Sequence, residues 1–294
     1  MKAHIPFGTK TLVMGIINVT PDSFYSGSRI RDTERAVERA LQFEELGADI
    51  VDIGGESTRP GSAATPDDEE IRRIVPVVER IRKKSDITLS VDTHKIHVAS
   101  RVLEYGVQII NDITGLGSAL IHGTDTSLSP VHGYDQAAAG WKEFGRLVAK
   151  SGAYIVLMHM RGTPSNMQSL TTYDDVTKDV SSELDSAIQR AIDSGIALDR
   201  IILDPGIGFA KTAEQNLHLL RGLPLIRKKG FPILVGLSRK SFLGVYTGKE
   251  PEGRLVSTIA ANAISIFQGA DIIRVHDVGE AVDTARIVDA LRGL

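Results

Sequence analysis

A (β/α)8 barrel in a single domain is the fold class the sequence predicts, and three observations predict it. Short apolar runs recur along the 294 residues, separated by stretches of helical periodicity. The runs are apolar on both faces and rich in β-branched residues, as parallel strands covered by helices require. A glycine also precedes a run at a repeated interval. The copies are Gly47-Ala48-Asp49-Ile50-Val51-Asp52, Gly106-Val107-Gln108-Ile109-Ile110-Asn111 and Gly269-Ala270-Asp271-Ile272-Ile273-Arg274, with Gly152-Ala153-Tyr154-Ile155-Val156-Leu157 as a looser fourth. Each reads as a glycine-capped helix end, a turn and a buried strand. The repeat puts Asp52, Asn111 and Arg274 in one register, at the carboxyl ends of equivalent strands. In a parallel barrel that end carries the chemistry.

Strands are expected at 11–17, 49–53, 88–91, 107–110, 154–158, 201–203, 232–235 and 271–275. Asp32 is placed as the cap of the first helix, which Gly47 stops. Thr65-Pro66-Asp67-Asp68 offers the second helix a hydroxyl cap, a proline in the first turn and acids at the positive end of the dipole. Pro76 is expected to bend that helix. Further helices are read at 93–105, 174–194, 212–220, 252–268 and 278–291. A doubly wound sheet is the rival, but it would carry a glycine-rich nucleotide turn after the first strand. Asn18-Val19-Thr20-Pro21-Asp22 stands there instead. The segment 117–141, with Thr, Ser, Gly and Pro throughout, is longer than most connections and reads as an irregular surface insertion.

The formal net charge of −3, with both signs interspersed, gives no footprint for nucleic acid or an anionic membrane. The absence of cysteine excludes disulfides, thiolate nucleophiles and zinc–cysteine sites. The first ten residues hold no apolar secretory core, and no apolar run approaches the length of a membrane span. A cytoplasmic location is the expectation.

Two kinds of chemistry gather at the predicted strand ends. Asp92, Asn111, Asp204 and Lys240 combine acceptors, an amide and an ammonium, which suits a flat nitrogen heterocycle presenting adjacent N–H and carbonyl groups. Any one of them alone reads equally well as a turn or cap residue. Arg274 and His276 alternate around Val275 and so share a side of the strand. With Asn18 and Arg59 they suit a phosphate or diphosphate, Asn18 offering an oxygen to a hard cation. A salt bridge from Arg274 to Asp277 is the plainer alternative. Gly206-Ile207-Gly208-Phe209 reads as close backbone approach to a planar ligand rather than as a nucleotide loop.

With these residues in view, the chain resembles the dihydropteroate synthase family. The matching motifs run in the family's order over nearly the whole chain. They are Met14-Gly15-Ile16-Ile17-Asn18-Val19-Thr20-Pro21-Asp22-Ser23-Phe24, Asp52-Ile53-Gly54-Gly55-Glu56-Ser57-Thr58-Arg59-Pro60-Gly61, Ser90-Val91-Asp92-Thr93, Ile110-Asn111-Asp112-Ile113, Leu157-Met158-His159-Met160, Leu203-Asp204-Pro205-Gly206, Ser238-Arg239-Lys240-Ser241 and Ile273-Arg274-Val275-His276-Asp277. The resemblance implies an enzyme that joins 6-hydroxymethyl-7,8-dihydropterin diphosphate to p-aminobenzoate with Mg2+. By the same resemblance Asp92, Asn111, Asp204 and Lys240 would hold the pterin, and Met158 and Phe209 would shape its pocket. Asn18 would ligate magnesium and, with Thr58, Arg59, Arg274 and His276, face the diphosphate. Thr58, Arg59, Ser238 and Lys240 would border the p-aminobenzoate site. Asp92 and Lys240 are the expected catalytic residues. A homodimer through late helices is also implied, and the small residues Ala260, Ala261, Ala263 and Ser265 offer a face for it or for packing on the barrel.

The chain departs from the family after Phe24, where Tyr25-Ser26-Gly27-Ser28 replaces the usual Ser-Asp-Gly-Gly, and at His94. The missing aspartate motivates one alternative, a catalytically silent pterin-binding relative. The other is a pterin-dependent methyltransferase, against which the anion-binding residues argue, since methyl transfer has no diphosphate to hold.

Overall fold

The computed structural model describes residues 5–20, 29–58, 62, 64–117 and 134–294. Eight parallel strands form one sheet in the order β6-β5-β4-β3-β2-β1-β8-β7. They are β1 (Leu12–Asn18), β2 (Ile50–Gly54), β3 (Thr88–Asp92), β4 (Ile109–Asp112), β5 (Tyr154–Met158), β6 (Ile201–Asp204), β7 (Leu234–Gly236) and β8 (Ile272–Val275). A parallel bridge between Leu203 and Ile233 links β6 to β7 and completes the ring. Helices α1 (Arg29–Glu45), α2 (Asp67–Arg82), α3 (Ile96–Leu103), α4 (Tyr134–Ser151), α5 (Val176–Asp193), α6 (Ala213–Arg221), α7 (Leu223–Arg227), α8 (Ser241–Thr247), α9 (Leu255–Phe267) and α10 (Val278–Arg292) lie between and after the strands. This is the (β/α)8 barrel read from the sequence.

The strand alternation sorts side chains into two cores. Val13, Val51, Val91, Ile110, Ile155, Leu203, Val235 and Ile273 face outward and pack with the helices in the larger cluster. Leu12, Met14, Ile50, Ile109, Tyr154, Val156, Ile202, Leu234 and Ile272 face inward and fill the lower barrel. The floor is shut from below. The Ile5 backbone N–H donates to the Tyr154 hydroxyl at 3.2 Å, and Phe7 meets the Tyr154 ring edge-on at 5.8 Å. Each inward Val, Leu or Ile contributes about 1.5–3 kcal/mol by leaving water.

The repeated glycines do the expected work. Gly47, Gly106, Gly152 and Gly269 have φ of 95°, 74°, 74° and 105°, the left-handed turn that ends a helix before a strand.

Several boundaries differ from the sequence reading. Asp32 lies inside the first turn of α1 rather than capping it. Pro66, not Thr65, is the N-cap of α2, and no side chain caps that end. Thr65 instead receives Lys95 on its carbonyl and donates its N–H to Glu56. Pro76 lies inside α2, which runs on as one helix through it as the sequence reading had it. The segment 117–141 is not irregular throughout: its end, from Tyr134, belongs to α4. Residues 118–133 lie outside the described residues. Ala261 and Ala263 pack on the core and Ser265 is fully buried, so most of the small-residue face of α9 is turned to the barrel. The exposed stripe of α9 is instead Val256, Ala260, Ile264 and Phe267.

Candidate functional site

Two residues beyond the apolar floor, the inward positions turn polar. Asp52 follows Ile50, Asn111 follows Ile109, Asp204 follows Ile202 and Arg274 follows Ile272. Asp92 pairs in register with Gly54 on one side and Asn111 on the other. Asn18 pairs with Gly54. A Cβ placed on Gly54 would stand 3.6 Å from both Asn18 Oδ1 and Asp92 Cβ, so these two side chains flank the same gap. The sequence-predicted polar residues of the strands therefore converge on one rim.

Arg274 is the centre of this rim. Its Nε donates to Asp52 Oδ2 at 2.6 Å and its Nη2 to Asp92 Oδ2 at 3.0 Å. Asn111 Nδ2 reaches the same Asp52 oxygen at 3.3 Å. Burial alone would lower the guanidinium pKa, but Asp52 and Asp92 outweigh it and raise it. Asp92 is pushed up to about 7 by burial, with Arg274 opposing and Asp52 adding to the rise. Asp277 is not the partner of Arg274; Arg239 takes it, at 2.7 and 3.0 Å.

Asp52 was placed at a strand's carboxyl end by the glycine repeat but was given no role in the site. A carboxylate in the middle of a strand buried along its whole length, Ile-Val-Asp-Ile-Gly, was the available signal. Its side chain is fully buried, and Oδ1 has no hydrogen-bond partner.

Across the mouth, Asp204 accepts the Gly206 N–H at 2.7 Å. Burial raises its pKa, and Lys240, the Gly206 N–H, Arg274 and Lys211 oppose that rise. Lys240, at the N-terminus of α8, donates to the Ile207 carbonyl and lies 4.4 Å from the centre of the Phe209 ring. Burial pushes the Lys240 ammonium down to about 8, with Asp204 opposing. Met158, Met160, Met167, Ile113 and Ala210 form a small apolar cluster against which Phe209 packs. Gly206 is forced: at φ 67° its Cβ would fall 1.8 Å from the His159 carbonyl oxygen.

Ser238 Oγ sits 2.9 Å from His276 Nδ1 and accepts the His276 backbone N–H at 3.2 Å. Thr58 follows β2 and is half-buried. Its loop is anchored at the base by Lys95, whose Nζ stands 2.9 Å from Glu56 and 2.6 Å from Glu70. Arg59 and Ser26 lie outside the described residues.

Among the described residues, no group of three His, Cys, Asp or Glu side chains forms a metal cage. The rim offers the amide oxygen of Asn18. That fits Mg2+, which keeps several waters and is held by one or two protein oxygens together with substrate phosphates.

Comparison with known proteins follows the same outline. The model of the pterin-binding enzyme family matches residues 14–276. A dihydropteroate synthase of Synechocystis sp. is 40% identical over 286 residues, which cover 97% of this chain and 91% of that protein. The crystal structure of a Clostridium difficile dihydropteroate synthase in the presence of pteroic acid superposes with a TM-score of 0.85 at 36% identity, covering 98% of this chain and 99% of the other. A Xanthomonas albilineans dihydropteroate synthase with 4-aminobenzoic acid gives a TM-score of 0.83 at 38% identity, covering 97% and 94%.

Proposed function

The chain belongs to the dihydropteroate synthases of the pterin-binding enzyme family, and from that premise we propose how the barrel mouth divides the reaction among its residues. The enzyme joins 6-hydroxymethyl-7,8-dihydropterin diphosphate to p-aminobenzoate, giving 7,8-dihydropteroate and diphosphate.

The pterin lies across the mouth. Asp204 and Asp92 accept the N–H donors of its two edges, Asn111 meets its amide, and Lys240 donates to its carbonyl side. Met158 and Phe209 together form an apolar wall against the ring. The diphosphate faces Arg274, His276 and Asn18, with Thr58 and Arg59 on the neighbouring loop. Asn18 would hold Mg2+ together with the substrate, and the ion would supply neutralising charge to the leaving group. The p-aminobenzoate lies beside Ser238, Lys240, Thr58 and Arg59.

The reaction breaks the C–O bond between the pterin methylene and the diphosphate. The bonding pair leaves with the diphosphate, whose charge the fixed cations receive. The electron-rich ring delocalises the positive charge left on the methylene, and the Asp92 carboxylate stabilises it. The arylamine nitrogen then forms the C–N bond and releases a proton to solvent. No side chain needs to act as a nucleophile.

One observation carries this reading. Inward-facing Asp92, Asn111 and Asp204 meet Lys240 and the Met158–Phe209 wall on the same rim that holds Arg274. The test is diphosphate release assayed with each substrate alone and with both, with and without magnesium, in the wild type and in Asp204→Asn. Release is expected only when both substrates and magnesium are present, and the variant is expected to lose pterin binding. Wild-type pterin affinity in Asp204→Asn would reject the assignment.

A homodimer fits the outer surface. Val256, Ile264 and Phe267 form an apolar stripe on α9, and Ile287 and Leu291 continue it on α10. A second copy of the chain presenting the same stripe would bury both. Ile264→Asp is expected to convert the dimer to monomer in light scattering coupled to size exclusion; an unchanged mass would discard this surface.

A further inference from the structure

Beneath the proposed pterin subsite lies a buried lysine. Lys211 precedes the Thr212 cap of α6 and is only 3% exposed. Its Nζ donates to Gly206 O at 3.0 Å and Phe209 O at 2.9 Å, and stands 3.0 Å from His159 Nδ1. Three acceptors match the three N–H bonds of an ammonium. The histidine is set to accept. Its Nε2 lies 2.9 Å from Glu183 Oε2, so Nε2 carries the proton and Nδ1 turns its lone pair toward the lysine.

The loop under which Lys211 sits is strained. Gly206, Gly208 and Ala210 all have positive φ, at 67°, 87° and 49°. Alanine pays for that conformation, so the loop depends on tethers from outside. Tyr173 donates its hydroxyl to Ala210 O at 3.0 Å, and Asn216 Oδ1 accepts the Gly208 N–H at 2.7 Å. Lys240 donates to Ile207 O from the mouth side. Lys211 holds Gly206 and Phe209 from within, and its charge is one of those opposing the rise of the Asp204 pKa.

We propose that Lys211 is a positioning residue for the pterin subsite. Its ammonium holds the Gly206–Ala210 loop and the Phe209 wall in place and is one of the charges that favour the ionised Asp204 carboxyl, which accepts the ring's N–H donors. This rests on the reading that Asp204 grips the pterin. Burial pushes Lys211 down to about 7. The groups facing it are His159 after β5, Asp204 on β6, Lys240 before α8, Glu183 on α5 and Arg161 after β5. Asp204 and Glu183 raise its pKa; Lys240 and Arg161 lower it. The charge is therefore fullest on the acid side of neutrality, where Asp204 is closest to taking up a proton.

The experiment is calorimetric binding of 6-hydroxymethylpterin, which carries no diphosphate, between pH 5.5 and 8.5. Lys211→Met is expected to bind about tenfold more weakly at neutral pH. Asp92, raised to about 7, contributes to the acid limb in wild type and variant alike; the limb of Lys211→Met is expected to lie at higher pH than the wild-type one through Asp204, while the KM for p-aminobenzoate stays at the wild-type value. Tyr173→Phe removes a neutral tether of the same loop and is expected to weaken binding with the acid limb in place. Asp204→Asn separates the two readings: if it binds like the wild type, the pterin assignment itself fails. If Asp204→Asn loses binding while Lys211→Met keeps both affinity and limb, the proposal is overturned. Weaker binding by Lys211→Met with an unmoved limb overturns the electrostatic role. Should Lys211→Met not fold, Lys211→Gln keeps N–H donors without the charge. The same limb displacement is expected of it, and a wild-type limb refutes the proposal.

Discussion

Replacing Arg274 with methionine isolates the charge balance inside the barrel. Methionine keeps much of the side-chain volume and removes the guanidinium from both carboxylates. Asp52 is fully buried and keeps only the 3.3 Å contact from Asn111 on Oδ2. Breaking a buried pair from one side costs about 3–5 kcal/mol. Because Arg274 is itself 19% exposed at its side chain, the lower end applies, about 3 kcal/mol. At about 2–4 °C per kcal/mol, the melting temperature should fall by about 6–12 °C. Asp52→Asn in the same background removes the stranded charge and should recover at least half of the loss. The pH dependence has a defined sign. Asp92 already titrates near 7, above its unfolded value, and Arg274 is the cation that opposes the rise. Without Arg274 the folded pKa climbs further. A carboxylate raised in the folded state contributes stability below its unfolded pKa and loses it as pH rises through the folded one. The deficit of the variant should therefore be smaller at pH 5 than at pH 8. Scanning calorimetry of the two single variants and the double variant at both pH values measures this. A deficit independent of pH, or a double variant whose loss equals the sum of the singles, would refute the reasoning.

The remaining tests address the mouth more directly. The kcat/KM for the pterin diphosphate should fall below pH about 7 as Asp92 protonates and above about 8 as Lys240 loses its proton; a flat profile from pH 6 to 9 would contradict both assignments. Gly206→Ala must relieve a 1.8 Å approach to the His159 carbonyl at a positive φ, and should destabilise by about 2–4 kcal/mol. An unshifted thermal transition would count against the loop geometry. Asn18→Ala should raise the KM for the pterin diphosphate about tenfold, equivalent to about 1.4 kcal/mol, and increase the magnesium requirement. Its affinity for 6-hydroxymethylpterin should stay at the wild-type value, and a loss there would move Asn18 out of the diphosphate subsite.

The eight strands were legible because each is an apolar run longer than chance spacing, and the glycine repeat tied three of them to one register; in the fourth copy Leu157 faces outward, one residue out of phase. The positive φ at all four glycines is the physical reason that repeat exists. The alternation of inward and outward positions then carries Asn111, Asp204 and Arg274 to the rim without further information. α7 and α8 were not legible. Helices of five and seven residues are too short to display a period. α4 went unread altogether: no helix was placed between the 117–141 segment and the strand at 154, because the sequence from Tyr134 follows directly on a stretch of turn-forming residues. Lys211 carried no signal either: a lysine before a helix cap looks the same whether it points into water or into the protein. Thr65 misled through its type. Its backbone is engaged by Glu56 and Lys95, and the helix starts one residue later at proline. The rim residues were readable by position, but the pairing of Arg274 with Asp52 and Asp92 depends on barrel curvature, which no single strand encodes.

The sealed floor makes the barrel a cul-de-sac. With Tyr154 braced by Ile5 and Phe7, and aliphatic side chains stacked above it, nothing the size of a substrate can pass through the axis. Both reactants must arrive, and both products depart, through the same doorway. A product that lingers there covers the places the next pair of reactants must take, so departure has to precede every new round.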